Sequence, residues 1–75
     1  MEISNFLKSF AEQFEDTDAS LITPECEFHE LEEWSSLTSM GVIAMAKTQY
    51  GVTITGKEIR ECDTIMDLFN IISTK

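Results

Sequence analysis

Basic residues are scarce in this sequence. Five of its 75 residues are Lys or Arg, against fourteen Asp or Glu, and the formal net charge at pH 7 is -9. The stretch between Lys8 and Lys47 has no Lys or Arg but nine carboxylates: Glu12, Glu15, Asp16, Asp18, Glu25, Glu27, Glu30, Glu32 and Glu33. Nucleic acids are bound largely through Lys and Arg at their phosphates, so we expect no nucleic-acid partner. Such a charge attracts basic protein surfaces, although an acidic face that only keeps the protein soluble explains it equally well.

Long apolar runs are also missing. No stretch approaches the roughly 20 apolar residues that a membrane-spanning helix needs. The first ten residues, MEISNFLKSF, lack the basic start and the continuous apolar stretch of a signal peptide. We therefore expect a cytoplasmic protein without a membrane span. Repulsion between copies of so acidic a chain favours a monomer.

Cysteine and glycine are rare as well. Cys26 and Cys62 are 36 positions apart with no CxxC motif, so neither a zinc site nor a thioredoxin-like redox site is predicted. The three glycines are scattered and form no phosphate-binding loop. With 43% hydrophobic residues, a chain of this length has the material for one small core. We expect a single domain over residues 1–75.

Apolar spacing predicts an all-α fold, a small four-helix bundle with three main helices, one short helix and a long loop between helices one and two. Helix one has the helical repeat Ile3, Phe6, Leu7, Phe10 and Phe14. Helix two begins with Ser35 or Ser36 as N-cap and ends at Gly51. The short helix runs through KEIREC. The last helix follows Thr64, with Asp67 at the capping-box position.

Two segments between these helices are predicted to be loops. VTIT, residues 52 to 55, alternates like a strand but has no partner strand, so we expect a loop with Ile54 buried. The segment from Asp16 to Trp34 is long for a connection in so small a protein. We expect it to be held against the bundle by its larger apolar residues, which are Leu21, Ile22, Phe28, Leu31 and Trp34.

Two site chemistries receive weak support from the long loop. DTDASLITPECE places carboxylates and a hydroxyl at several ligand positions of an EF-hand calcium loop, but Leu21 stands where the sharp turn needs glycine. His29 is the only histidine, and neither Ser35 nor Ser36 lies in a GxSxG elbow. We therefore expect no metal site, a solvated His29 and no enzymatic activity.

The stretch FHELEEWSSLTSMGVIAMAKTQYGVTITGKEIRECDTIMDLFNII resembles the acyl carrier protein family. That family has an Asp-Ser-Leu triplet at the start of its second helix, an aromatic residue near the end of that helix, an isoleucine soon after it, and a Thr-Val-like step into the last helix. The matching positions here are Ser35, Ser36, Leu37, Tyr50, Ile54, Thr64 and Ile65. Helix one and the long loop match in length and order, so the resemblance covers essentially the whole chain.

The resemblance implies that Ser36 is esterified by 4'-phosphopantetheine, derived from coenzyme A, whose thiol holds acyl groups as thioesters. The implied partners are a phosphopantetheinyl transferase and acyl-transferring or chain-elongating enzymes with basic docking surfaces, in fatty acid, polyketide or related biosynthesis. Ser35 replaces the aspartate of the triplet. In the family, that aspartate helps the transferase to bind the carrier. Four alternatives stay open: serines that serve only as an N-cap, an unmodified carrier-like interaction module, an unrelated helical adaptor, and a calcium-binding loop protein.

Overall fold

Residues 2–75, which the computed structural model describes, contain four α-helices and no strand. The helices are α1 (Ile3–Ala11), α2 (Ser36–Tyr50), α3 (Gly56–Glu61) and α4 (Ile65–Thr74). Two short 3₁₀ turns, Ala19–Leu21 and Phe28–Glu30, lie within the long loop. The predicted all-α four-helix fold is therefore confirmed, including the short third helix and the loop assigned to VTIT.

The core forms where α1 contacts α2 and α4, and where α2 contacts α3. Each helix turns its apolar face inward, since burying apolar side chains is the main favourable term in folding. The largest fully buried side chains are Phe6, Phe10, Phe28, Val42, Ile59, Ile65, Leu68 and Ile72. Ile54 is also buried, as expected for the loop before α3.

An aromatic cluster joins the long loop to α1. The ring of Phe10 lies 5.8 Å from that of Phe28 and 6.2 Å from that of Trp34, with Phe10 and Trp34 nearly parallel. Phe28 and Trp34 meet edge to face at 4.7 Å. Because Trp34 precedes α2 by only two residues, this packing holds the chain just before α2 against α1.

Helix α1 is shorter than its apolar repeat suggested. It ends at Ala11, and the amides of Gln13 and Phe14 bond instead to the carbonyls three residues earlier, Phe10 O and Ala11 O, both at 3.1 Å. This tighter turn breaks the helical repeat. Phe14 is still buried, so its inclusion in the apolar face was right although it lies outside the helix.

The long loop is packed against the bundle, but not by every residue expected. Ile22 and Phe28 are buried, and Leu31 and Trp34 pack against the core. Leu21 is 56% exposed, so the prediction that it helps to hold the loop was wrong. It ends the first 3₁₀ turn, and the next residue, Ile22, takes the inward position.

The predicted end of α2 and the predicted start of α4 are both confirmed, the first by backbone geometry and the second by capping hydrogen bonds. Gly51 adopts a left-handed conformation with φ of 66°, and its amide bonds to Lys47 O at 3.1 Å. At the start of α4, Thr64 Oγ1 accepts from the Asp67 amide, and the Asp67 carboxylate accepts from the Thr64 amide.

Neither these helices nor the other two in residues 2–75 are long and apolar enough to cross a membrane.

Candidate functional site

The start of α2 is built by Ser35 and Thr38. Ser35 is the N-cap, and its Oγ accepts from the Thr38 amide at 3.4 Å. In return the Ser35 amide donates to Thr38 Oγ1 at 2.9 Å, which completes a capping box. The Thr38 hydroxyl also donates to Glu33 O at 2.7 Å. The Ser35 side chain is thus engaged in capping α2, and of the two predicted N-cap residues the structure selects Ser35.

Ser36 is the first residue of α2, and its side chain is exposed. Within residues 2–75, neither its hydroxyl nor its amide has a hydrogen-bond partner, and the amide of Leu37 has none either. Free amides at a helix N-terminus carry a partial positive charge and attract anions. The Ser36 hydroxyl is therefore accessible and lies where an attached anionic group is favoured.

A shallow groove of about 260 Å³ lies beside Ser36, between the start of α2 and α3, and is called the serine groove below. His29, Ser39, Gly56 and Arg60 contribute to its walls. Arg60 forms no salt bridge with any residue from 2 to 75. A Cβ at Gly56 would lie 3.4 Å from Arg60 Nη1, so the absence of a side chain there leaves room for the guanidinium.

His29 helps to shape the same groove. The ring is exposed, as expected, but its Nε2 lies 3.1 Å from Ile59 O, which connects the loop to α3. The ring also packs against Phe28 at 4.3 Å and Trp34 at 5.5 Å. Because the Ile59 carbonyl occupies Nε2, the geometry gives His29 a positioning role.

Glu33 fixes the segment that leads into α2. Its carboxylate accepts from the amides of Glu15 at 3.1 Å and Asp16 at 2.8 Å, and also from the Thr17 hydroxyl. These bonds, the one from Thr17 first among them, lower the pKa of the Glu33 carboxyl. The Glu33 carboxylate therefore ties the segment that follows α1 to the segment that precedes α2.

The first turns of α2 also expose apolar side chains. Leu37 is 79% exposed and Met40 is 65% exposed, and Ala44 continues this face one turn further on. Met45 and Ala46 on the opposite side are buried. Helix α2 therefore has one face in the core and one apolar face in contact with solvent.

The remaining reactive groups lie outside this region. Cys26 and Cys62 are both free thiols. Burial raises the pKa of the Cys62 thiol to about 11, with nearby carboxylates adding to the effect, so it is not a reactive thiolate at neutral pH. Among residues 2–75, no three His, Cys, Asp or Glu side chains are grouped so that they could hold a metal ion.

The structure adds two features that sequence reasoning missed. Arg60 and His29 meet at the serine groove only through folding, and no sequence pattern indicates this. The N-cap of α3 is Thr55, whose capping box with Glu58 is visible in the sequence as Thr-x-x-Glu and could have been found.

No protein-family model matches this sequence, and comparisons with curated proteins and with solved structures give no match either.

Proposed function

We propose that this protein is an acyl carrier protein whose Ser36 is modified with 4'-phosphopantetheine. The observation that supports this most directly is the position of Ser36: an exposed, unbonded hydroxyl at the first residue of the longest helix. Ser35 provides the cap, so Ser36 is not needed for it. A serine pair that served only as a cap would not require the second hydroxyl.

The attached group would supply a thiol that holds acyl groups as thioesters. In the modification itself, the transferase takes the proton of Ser36 Oγ, and this oxygen bonds to the pantetheine-bearing phosphorus of the coenzyme A diphosphate. The bond from that phosphorus to the bridging oxygen breaks, and adenosine 3',5'-bisphosphate leaves with that oxygen. The free amides of Ser36 and Leu37 and the positive end of the α2 dipole favour the phosphate that results. Arg60, in the adjoining serine groove, is the nearby cation without a salt bridge in the described chain.

The proposed partners are a phosphopantetheinyl transferase and acyl-transferring or chain-elongating enzymes with basic docking surfaces. The exposed Leu37, Met40 and Ala44 offer an apolar centre beside Ser36, and the carboxylates of the preceding loop offer a negative rim. Rim charges mainly set the association rate, whereas a desolvated apolar centre lengthens the residence time. Fatty acid, polyketide or related biosynthesis in the cytoplasm fits this assignment.

The second candidate function is an interaction module that is never modified. The exposure of Leu37 and Met40 favours it, because an apolar helix face can bind a partner without any prosthetic group. The replacement of the triplet aspartate by Ser35 points the same way. The two functions differ in one measurable property, the covalent state of Ser36.

Intact-mass measurement after incubation with coenzyme A and a broad-specificity phosphopantetheinyl transferase tests the proposal. We expect a mass gain of one phosphopantetheine, complete loss of that gain in Ser36→Ala, and partial modification in Ser35→Ala. Ser35→Ala is the matched control, because it removes a neighbouring hydroxyl and weakens only the cap. No gain in the unaltered chain, or a label that maps to Ser35, would contradict the assignment.

A further inference from the structure

A second groove lies on the long loop and shares no lining residue with the serine groove. It has a volume of about 450 Å³ and is called the loop groove below. Two leucines and a series of carboxylates line it, chiefly Leu21, Leu31, Asp16, Asp18, Glu30 and Glu32. Neither Ser36 nor the exposed face of α2 contributes to its walls.

The apolar part of the loop groove is unusual for a surface this acidic. Leu21 is 56% exposed, and within residues 2–75 only Leu37 and Met40 are large apolar side chains of comparable exposure. Leu31, by contrast, is partly buried and packs against the core, so it forms a fixed floor. A side chain of a partner that covered Leu21 would remove apolar surface from water on both molecules.

The walls of the loop groove are held in place before any partner arrives. Glu33, which also lines it, ties the Asp16 side to the start of α2 through the hydrogen bonds described above. Further along the same segment, Asp18 Oδ1 accepts from the Ser20 amide at 2.9 Å. These hydrogen bonds lower the pKa of the carboxyls of Asp18 and Glu33. A preformed groove loses less conformational entropy on binding.

We propose that the loop groove binds a segment of a partner protein in which Arg or Lys residues flank one aliphatic or aromatic side chain. The carboxylates match the basic residues, and Leu21 with Leu31 matches the apolar one. Anionic partners, including a second copy of this chain with its net charge of -9, are repelled. The groove does not depend on modification of Ser36, so the proposal does not rest on the proposed function.

The test uses the full chain with Ser36→Ala and two synthetic peptides. One peptide has a leucine between two pairs of arginines, and the other has serine in place of that leucine. Affinities come from amide chemical-shift titrations, which also map the contact surface. We expect the leucine peptide to bind about tenfold more tightly, as expected for one desolvated aliphatic side chain. Both peptides should bind more weakly as salt is raised.

Two exposed leucines provide a matched pair of variants. Leu21→Ser should abolish the difference between the two peptides, whereas Leu37→Ser, on the face of α2, should preserve it. Because both leucines are largely exposed, neither change removes core packing. The double change Glu30→Gln and Glu32→Gln keeps Leu21 and should weaken both peptides several-fold.

Four results would overturn the proposal. The first three are equal affinities for the two peptides, a preference removed by Leu37→Ser but not by Leu21→Ser, and shifts centred on α2 in place of the loop. Unchanged affinities in the Glu30 and Glu32 double variant would overturn it as well. None of these outcomes depends on whether the unaltered chain gains mass from coenzyme A, so the two proposals fail separately.

Discussion

Helices α2 and α4 begin with the same capping motif but treat their first amides differently. In α4, the amides of Ile65 and Met66 donate to loop carbonyls, Cys26 O at 3.1 Å and Pro24 O at 2.9 Å. The third residue of α4 is Asp67, whose negative charge faces the positive end of the helix dipole. The start of α4 is therefore satisfied in both hydrogen bonds and charge.

The start of α2 has the cap without the charge. Its third residue is Thr38, its first turn has no acidic side chain, and the amides of Ser36 and Leu37 donate to no residue from 2 to 75. A helix start that serves only folding would gain from an acid, as α3 and α4 do with Glu58 and Asp67. The difference teaches that α2 is stabilised by neutral hydroxyls while its positive end stays available to an anion.

The largest effect on stability should come from removing the Thr38 hydroxyl, one of the neutral groups that cap α2. Thr38→Val deletes a hydroxyl that donates to Glu33 O and accepts from the Ser35 amide, at a site only 9% exposed. Leaving those groups without partners should lower the free energy of unfolding by about 1 to 3 kcal/mol. Urea unfolding at neutral pH measures the loss.

The control for that variant lies nearly three turns further along α2. Thr48→Val removes a hydroxyl that donates to Ala44 O within the helix, at an exposed position. The expected change is within about 0.5 kcal/mol. If Thr38→Val and Thr48→Val have the same effect, the capping box at α2 is not what holds its start in place.

The fold followed from the sequence wherever one local signal decided it. Helical spacing identified the apolar face of α1, Gly51 marked the end of α2, and the pair of Thr64 and Asp67 marked the start of α4. Such signals act within one or two turns, so tertiary contacts did not override them.

The candidate site was harder to predict because it depends on contacts between distant segments. The exposure of Ser36 follows from its place at the helix start, but Arg60 reaches the serine groove only because α3 packs beside α2. Leu21 was misjudged because apolar character alone does not say which of two neighbouring residues points inward. A 3₁₀ turn decided that in favour of Ile22.

A smaller effect should follow from giving α2 the charge that α4 has. Ser35→Asp keeps a good N-cap, so stability should change little. It also restores the acid expected beside a basic transferase surface, and we expect initial modification rates to rise about threefold at low salt and less at high salt. Initial rates by intact mass at two salt concentrations measure this.

The opposite result for Ser35→Asp would be equally informative. A lower rate would mean that repulsion between the new carboxylate and the incoming phosphate outweighs transferase recognition. Ser35→Asn is the matched control, because it caps the helix equally well without a charge. If the Asp and Asn variants are modified at the same rate, the transferase does not recognise the charge at this position.

The smallest effect should be a difference in pH dependence between the two helix starts. Hydrogen bonds from the amides of Thr64 and Asp63 hold the pKa of the Asp67 carboxyl below its usual range. A carboxyl with a lowered folded pKa adds stability above its unfolded pKa of about 4, and this stability is lost as the pH falls through the folded value.

Asp67→Asn should therefore lower the urea midpoint near neutral pH, and its difference from the unaltered chain should shrink on acidification. Asp63→Asn is the matched control, because it removes an equal charge from a carboxylate that accepts no hydrogen bond from residues 2–75. Ser35 and Thr38 have no titratable group, so the loss in Thr38→Val should stay nearly constant over the same range. If the Asp67→Asn difference is constant with pH while that of Thr38→Val varies, the assignment of a charged start to α4 and a neutral one to α2 is wrong.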